Sequence, residues 1–144
     1  MVLLSESILG TLKNKKITIL GLTFKPETDD VRSSPALDAI KILSEKGAKI
    51  LTFEPTIKSE QDLIKLPAGC NVYSVNFRIE DALKDSDIAM VFTKWPEFKS
   101  LDSKFLKKFM KNPIIIDGRG FLDKEKFDDG SYFKIGYSEN KSKN

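Results

Sequence analysis

The residues best equipped for chemistry lie close together. Residues 21–35, GLTFKPETDDVRSSP, pack Lys25, the adjacent acids Asp29 and Asp30, and Arg32 into one short stretch, with Pro26 restricting the backbone between them. An arginine and a lysine together suit an anion, because the guanidinium grips it through two parallel hydrogen bonds and the ammonium acts as a point charge. Ser34 and Pro35 read as the N-cap and first residue of a helix, whose N-terminal dipole also favours a phosphate. The same charges have an ordinary alternative, mutual neutralisation on a solvated surface where ion pairs contribute little. Asp117-Gly118-Arg119 reads locally as a tight turn, and as an anion-binding position if a strand end holds Arg119 in place. Trp95, the only tryptophan, either caps the core, the favoured reading, or lines a pocket or interface.

These residues need elements to hold them, and the apolar pattern supplies them in alternation. A β-branched strand over residues 15–20 (KKITIL) precedes the basic loop, and the stripe Ala36, Leu37, Ile40, Leu43 makes the helix that follows, closed by Gly47. A second strand over 48–53 ends at Glu54-Pro55 and completes a βαβ unit. Further along come a short helix within 56–67, a short edge strand at 71–75 and a helix at 80–84. A strong strand at 87–92 is ended by Thr93 to Pro96. A helix at 101–110 capped by Asp102 or Ser103, a strand at 113–116 and a last strand at 132–135 complete the series. The class implied is α/β: a doubly wound, mostly parallel sheet of Rossmann-like, three-layer αβα form in a single domain. In such a sheet the loops holding Lys25 and Arg32, Glu54-Pro55, Thr93 to Trp95 and Asp117 to Arg119 all fall at the carboxyl edge, where ligands collect.

Three segments are expected: an N-terminal helical remnant or linker at 1–14 with no evident partner in the domain, the folded domain at 15–137, and a disordered polar tail at 138–144. A chain of 144 residues with 40% hydrophobic content holds one well-packed core. The 24 basic and 21 acidic residues are dispersed, which argues against nucleic acid as a partner. The single cysteine, Cys70, leaves no intramolecular disulfide or thiolate cluster and has no activator beside it. Without any histidine, imidazole bases and the commonest zinc ligands are excluded, so no metal and no catalytic residue is assigned to this chain. No stretch is long and apolar enough for a membrane span, and residues 1–12 lack signal-peptide character, so a cytoplasmic location is expected. No GxGxxG or Walker A sequence follows any strand, and the acids near the first strand are misplaced for a phosphoacceptor receiver domain.

The phrase GLTFKPETDDVRSSP with LDAIKILSEKGAKI after it, then FEP, EDALKDSDIAMVFTKWPEF and PIIIDGRG in that order, resembles the C-terminal domain of the UDP-glucose and GDP-mannose dehydrogenase family over residues 15–122. The resemblance implies an enzyme that oxidises the C6 alcohol of a nucleotide sugar, here a UDP-sugar, to a carboxylate with two NAD⁺. It implies that Phe24, Lys25 and Arg119 contact the nucleotide sugar and that Arg32 reaches NAD across a domain cleft. In the family an N-terminal domain holds most of the NAD site, a middle segment supplies the catalytic cysteine, and the full-length enzyme pairs as a homodimer. Neither the cysteine nor the cofactor domain is in this sequence, so the chain alone is expected to be inactive and to need its N-terminal NAD-binding partner domain. Gly120 stands where many members have asparagine. The alternative is a stand-alone nucleotide-binding or protein-interaction module that reuses the fold without redox activity.

Overall fold

The computed structural model describes residues 1–23, 34–67 and 70–135, with the side chain of Cys70 left aside. Six strands form one sheet: β1 (Lys16–Leu20), β2 (Lys49–Phe53), β3 (Ser74–Asn76), β4 (Ile88–Val91), β5 (Ile115–Asp117) and β6 (Tyr132–Lys134). Their spatial order is β3-β2-β1-β4-β5-β6, and every neighbouring pair is parallel. This is the doubly wound order in which the winding reverses between β1 and β4, and the crevice outside the carboxyl ends of those two strands is the customary place for a ligand.

The strands bury both faces, as a parallel sheet requires. Ile17, Ile19, Ile88 and Met90 point into one cluster with Ala36, Ala39, Ile40 and Leu43 of helix α2 (Pro35–Glu45). Leu20, Ala89, Val91 and Ile115 point into the other with Leu83, Phe98 and Leu106, beside helices α3 (Ile79–Leu83) and α4 (Ser103–Phe109). Alternation along each strand thus produces the three layers. Thr18 is the polar exception on β1; its buried Oγ1 donates to Ala82 O at 2.6 Å, which ties α3 to the sheet, and it also lies against Ser86 Oγ.

Local signals explain where the elements start and stop. Ser34 caps α2, its Oγ accepting from Ala36 N at 3.2 Å, with Pro35 in the first turn. The helix ends where Gly47 takes φ +89°, its N–H donating to Ser44 O and that of Ala48 to Leu43 O, the paired bonds of a Schellman motif. Asp102, rather than Ser103, caps α4 and accepts from Phe105 N at 2.8 Å. The segment after β2 forms a short 3-10 helix, Glu60–Lys65, and the edge strand β3 begins later than its apolar pattern suggested. β5 also starts late, at Ile115, because Pro113 has no N–H for the ladder, and it runs on through Asp117.

The N-terminal helix α1 (Val2–Leu9) does have a partner. Met1, Val2, Leu4, Ile8 and Leu9 pack against the α2 side of the core, and Leu12 is fully buried there. Burying a leucine side chain in this way stabilises by about 2 kcal/mol, more than the exposed Lys46–Glu6 ion pair (3.3 Å) that also joins α1 to α2. Among the described residues no helix is long and apolar enough to cross a membrane.

Candidate functional site at the carboxyl rim

Because all five pairings are parallel, the segments that follow β1, β2, β4 and β5 leave the sheet on one side. The expectation that four loops share one rim is met for the described residues, which include only 21–23 of the loop after β1. How this sequence holds them there depends on two buried carboxylates.

After β1 the chain turns at Gly21, whose φ is +95° and whose N–H donates to Phe53 O at 2.8 Å. A Cβ at this position would lie 2.5 Å from Thr93 Oγ1, so both the conformation and the close approach of the β1 and β4 ends demand glycine. Leu22 and Thr23 then pass over the end of β2. There the fully buried Glu54 accepts from Leu22 N at 2.7 Å and Thr23 N at 3.1 Å through Oε1. Its other oxygen, Oε2, accepts from Thr56 N and Thr56 Oγ1, both at 3.0 Å. From the β4 side, Thr93 Oγ1 donates to Thr23 O at 2.8 Å. Three strand ends are therefore laced together at the switch point.

On the far side of β4, the fully buried Asp117 ends β5 and folds the next turn around itself. Its Oδ1 accepts from Arg119 N at 3.1 Å, and its Oδ2 accepts from Phe121 N at 2.7 Å, Leu122 N at 2.8 Å and Tyr132 Oη at 2.7 Å. Gly118 N donates to Val91 O at 3.0 Å, and a Cβ at Gly118 would overlap the Met1 side chain. The result is a rigid platform that leaves Arg119 exposed, its guanidinium without a hydrogen bond or ion pair among the described residues. A backbone fixed in this way presents the exposed Arg119 guanidinium where it can meet an anionic oxygen pair.

Of the four site residues read from the sequence, Arg119 is the one that can be placed. Phe24, Lys25 and Arg32 lie outside the described residues, which resume at Ser34. Trp95 satisfies both of its readings. It is 7% exposed within the α3–α4 side of the core and also edges a groove of about 430 Å³ with Pro55, Thr56 and Glu97. Its Nε1 and the Oγ1 of Thr23 are buried without a hydrogen-bond partner among the described residues. Glu54, Thr93 and Asp117 as struts of the rim were not identified from the sequence. The signal available was positional: each sits at or just past the carboxyl end of a strand. Among the described residues no group of three or more Cys, Asp or Glu side chains could hold a metal ion.

Comparison with known proteins gives a consistent result. The family model described as "UDP-glucose/GDP-mannose dehydrogenase family, UDP binding domain" matches residues 18–124. The chain is 35% identical over 129 residues to the UDP-glucose 6-dehydrogenase TuaD of Bacillus subtilis, covering 88% of this chain and 26% of that protein. It is 41% identical over 116 residues to a UDP-glucose 6-dehydrogenase of Rickettsia conorii, covering 81% and 26%. Among solved structures, a UDP-glucose dehydrogenase from Pyrobaculum islandicum superimposes with a TM-score of 0.73 at 26% identity, covering 92% of this chain and 28% of that one. The chain thus spans about a quarter of the length of the curated relatives it matches.

Proposed function

The chain belongs to the UDP-glucose/GDP-mannose dehydrogenase family, and from that premise we propose that it is the nucleotide-sugar-binding part of an NAD-dependent UDP-sugar 6-dehydrogenase. The observation that carries this reading is the platform at Asp117, which holds an exposed Arg119 on the same rim as the switch-point crevice. In this reading Arg119 meets the sugar side of the ligand, and Phe24 and Lys25, which follow directly on the strut residues Leu22 and Thr23, contact the nucleotide. Lys25 then supplies a positive charge and Arg119 a directional pair of donors, a combination suited to a diphosphate-linked sugar.

The dinucleotide does not fit the described residues. Where a dinucleotide-binding sheet of this order offers a free acid to the ribose near the end of β2, Glu54 is occupied by Leu22, Thr23 and Thr56, and the turn after β1 has Gly21 pressed on Thr93 instead of a glycine-rich cradle. We therefore assign NAD to the part of the full-length relatives that this chain does not span, with Arg32 reaching it across a cleft. NAD⁺ would accept hydride in the oxidation of the C6 alcohol. By itself this chain binds and orients one ligand and completes no turnover, and the working enzyme needs an NAD-binding partner domain.

The test is an NMR titration of the isotope-labelled chain with UDP-glucose, GDP-mannose and NAD⁺. A half-site should bind UDP-glucose with Kd on the order of 1 mM. The expected outcome is shift changes at the rim near Arg119 and residues 21–23 with UDP-glucose, abolished in Lys25→Ala and absent with NAD⁺. No response to either nucleotide sugar would overturn the half-site, and NAD-dependent oxidation of UDP-glucose by this chain alone would overturn its assignment as an incomplete one.

A further inference from the structure

We propose that Glu54 is a positioning residue for the nucleotide-sugar site, acting through Leu22 and Thr23. This inference rests on the reading of the rim as that site. It also gives the acid after β2 a role different from the one its place in the sheet suggests. In a sheet of this order an acid near that place commonly meets ribose hydroxyls, yet Glu54 is fully buried and has both oxygens occupied.

The geometry makes Glu54 a bridge. Oε1 takes the two consecutive N–H groups of Leu22 and Thr23, and Oε2 takes the N–H and hydroxyl of Thr56. No neutral side chain of this size can replace it. A glutamine has one acceptor oxygen and one donor group, so if its oxygen serves Leu22 and Thr23, its NH₂ confronts the Thr56 N–H as donor against donor. The carboxylate is therefore required for its four acceptor sites, and its charge is carried by backbone dipoles that it holds in place. Leu22 and Thr23 directly precede Phe24 and Lys25 in the chain, and Thr93 grips the Thr23 carbonyl from the other side. A shift at Oε1 is thus delivered to the start of the ligand-binding stretch, while the Asp117 platform, built from its own bonds, stays where it is.

The experiment compares the wild-type chain, Glu54→Gln and Thr56→Val by amide hydrogen exchange and by UDP-glucose titration, both read by NMR. Glu54→Gln should speed exchange at Leu22 or Thr23 by about tenfold or more, weaken UDP-glucose binding by about tenfold, and leave exchange at Phe121 and Leu122 unchanged. Thr56→Val removes one donor from Oε2 and nothing from Oε1, so its exchange at Leu22 and Thr23 and its affinity should stay within about twofold of wild type. A purely structural role would speed exchange across the whole sheet by the same factor as at Leu22 and Thr23, and that uniform pattern would overturn the proposal. Wild-type affinity in Glu54→Gln would overturn it as well. If the wild-type chain binds no UDP-glucose, the half-site reading fails, and exchange alone decides the strut: unchanged protection of Leu22 and Thr23 overturns it. Should Glu54→Gln not fold, Glu54→Asp retains four acceptor sites on a shorter stem; faster exchange confined to Leu22 and Thr23 supports the strut, and unchanged exchange overturns it.

Discussion

Glu54 and Asp117 face the same task on the two flanks of β4. Each is a fully buried carboxylate at the carboxyl edge, and each neutralises its burial by accepting four hydrogen bonds. They differ in reach. The backbone donors to Asp117 are two, four and five residues away, so the carboxylate shapes one turn. The principal donors to Glu54 are 32 and 31 residues away, so it fastens one loop to another. A short-range acceptor makes a local shape that the chain can reach before the rest of the fold exists. A long-range acceptor is useful only once β1 and β2 have paired, and it then reports on that pairing.

This contrast predicts unequal costs. Glu54→Ala would leave the buried Leu22 and Thr23 N–H groups and the Thr56 N–H unmatched and would free one loop from another, for a loss of about 4 kcal/mol. Asp117→Ala also strands several donors, but its turn borders exposed Arg119 and Gly120, where water can replace part of the loss, and about 2 kcal/mol is expected. Urea unfolding followed by circular dichroism measures both, and a larger loss for Asp117→Ala would break the comparison.

A finer test compares two threonines on the Glu54 flank. Thr93→Val deletes the buried bond to Thr23 O and should destabilise by about 1 kcal/mol, whereas Thr23→Val deletes a buried hydroxyl that has no partner among the described residues and should be neutral or stabilising by up to about 1 kcal/mol. Equal losses would show that Thr23 Oγ1 is satisfied after all. The smallest effect belongs to Asp62, a surface carboxylate that accepts from Lys58 N at 2.9 Å. That bond, reinforced by nearby Lys65, holds its carboxyl below the usual aspartate value. A depressed folded pKa means that its contribution is present above the unfolded value and lost as pH falls through the folded one. An NMR pH titration of the side-chain carboxyl should find its midpoint below that of an unfolded-chain aspartate. A midpoint at or above that reference would refute the assignment of this lowering to the Lys58 N–H and Lys65.

The same distinction of range explains what the sequence disclosed. β1, α2 and β4 were legible because β-branched runs, the Ser34-Pro35 start and the Gly47 stop are signals within a few residues. The shared rim followed from strand–helix alternation, and Arg119 was placed because Asp-Gly marks its own turn. The role of Glu54 was hidden, since a glutamate before a proline looks like the end of a strand until its donors arrive from another part of the chain. α1 was misjudged for a related reason: eight residues show an apolar face but not the α2 side of the core that receives it. The ligand contacts expected from Phe24, Lys25 and Arg32 fall outside the described residues.

Trp95 gives the rim an optical reporter of its own. As the chain's single tryptophan, packed near Leu20 and Phe98 with its indole N–H shielded from water, it should fluoresce at the blue end of the tryptophan range. Anything that wets the groove beside Pro55 and Thr56 should redden and dim that emission, so opening of the carboxyl edge can be timed in a stopped-flow cuvette with no label attached.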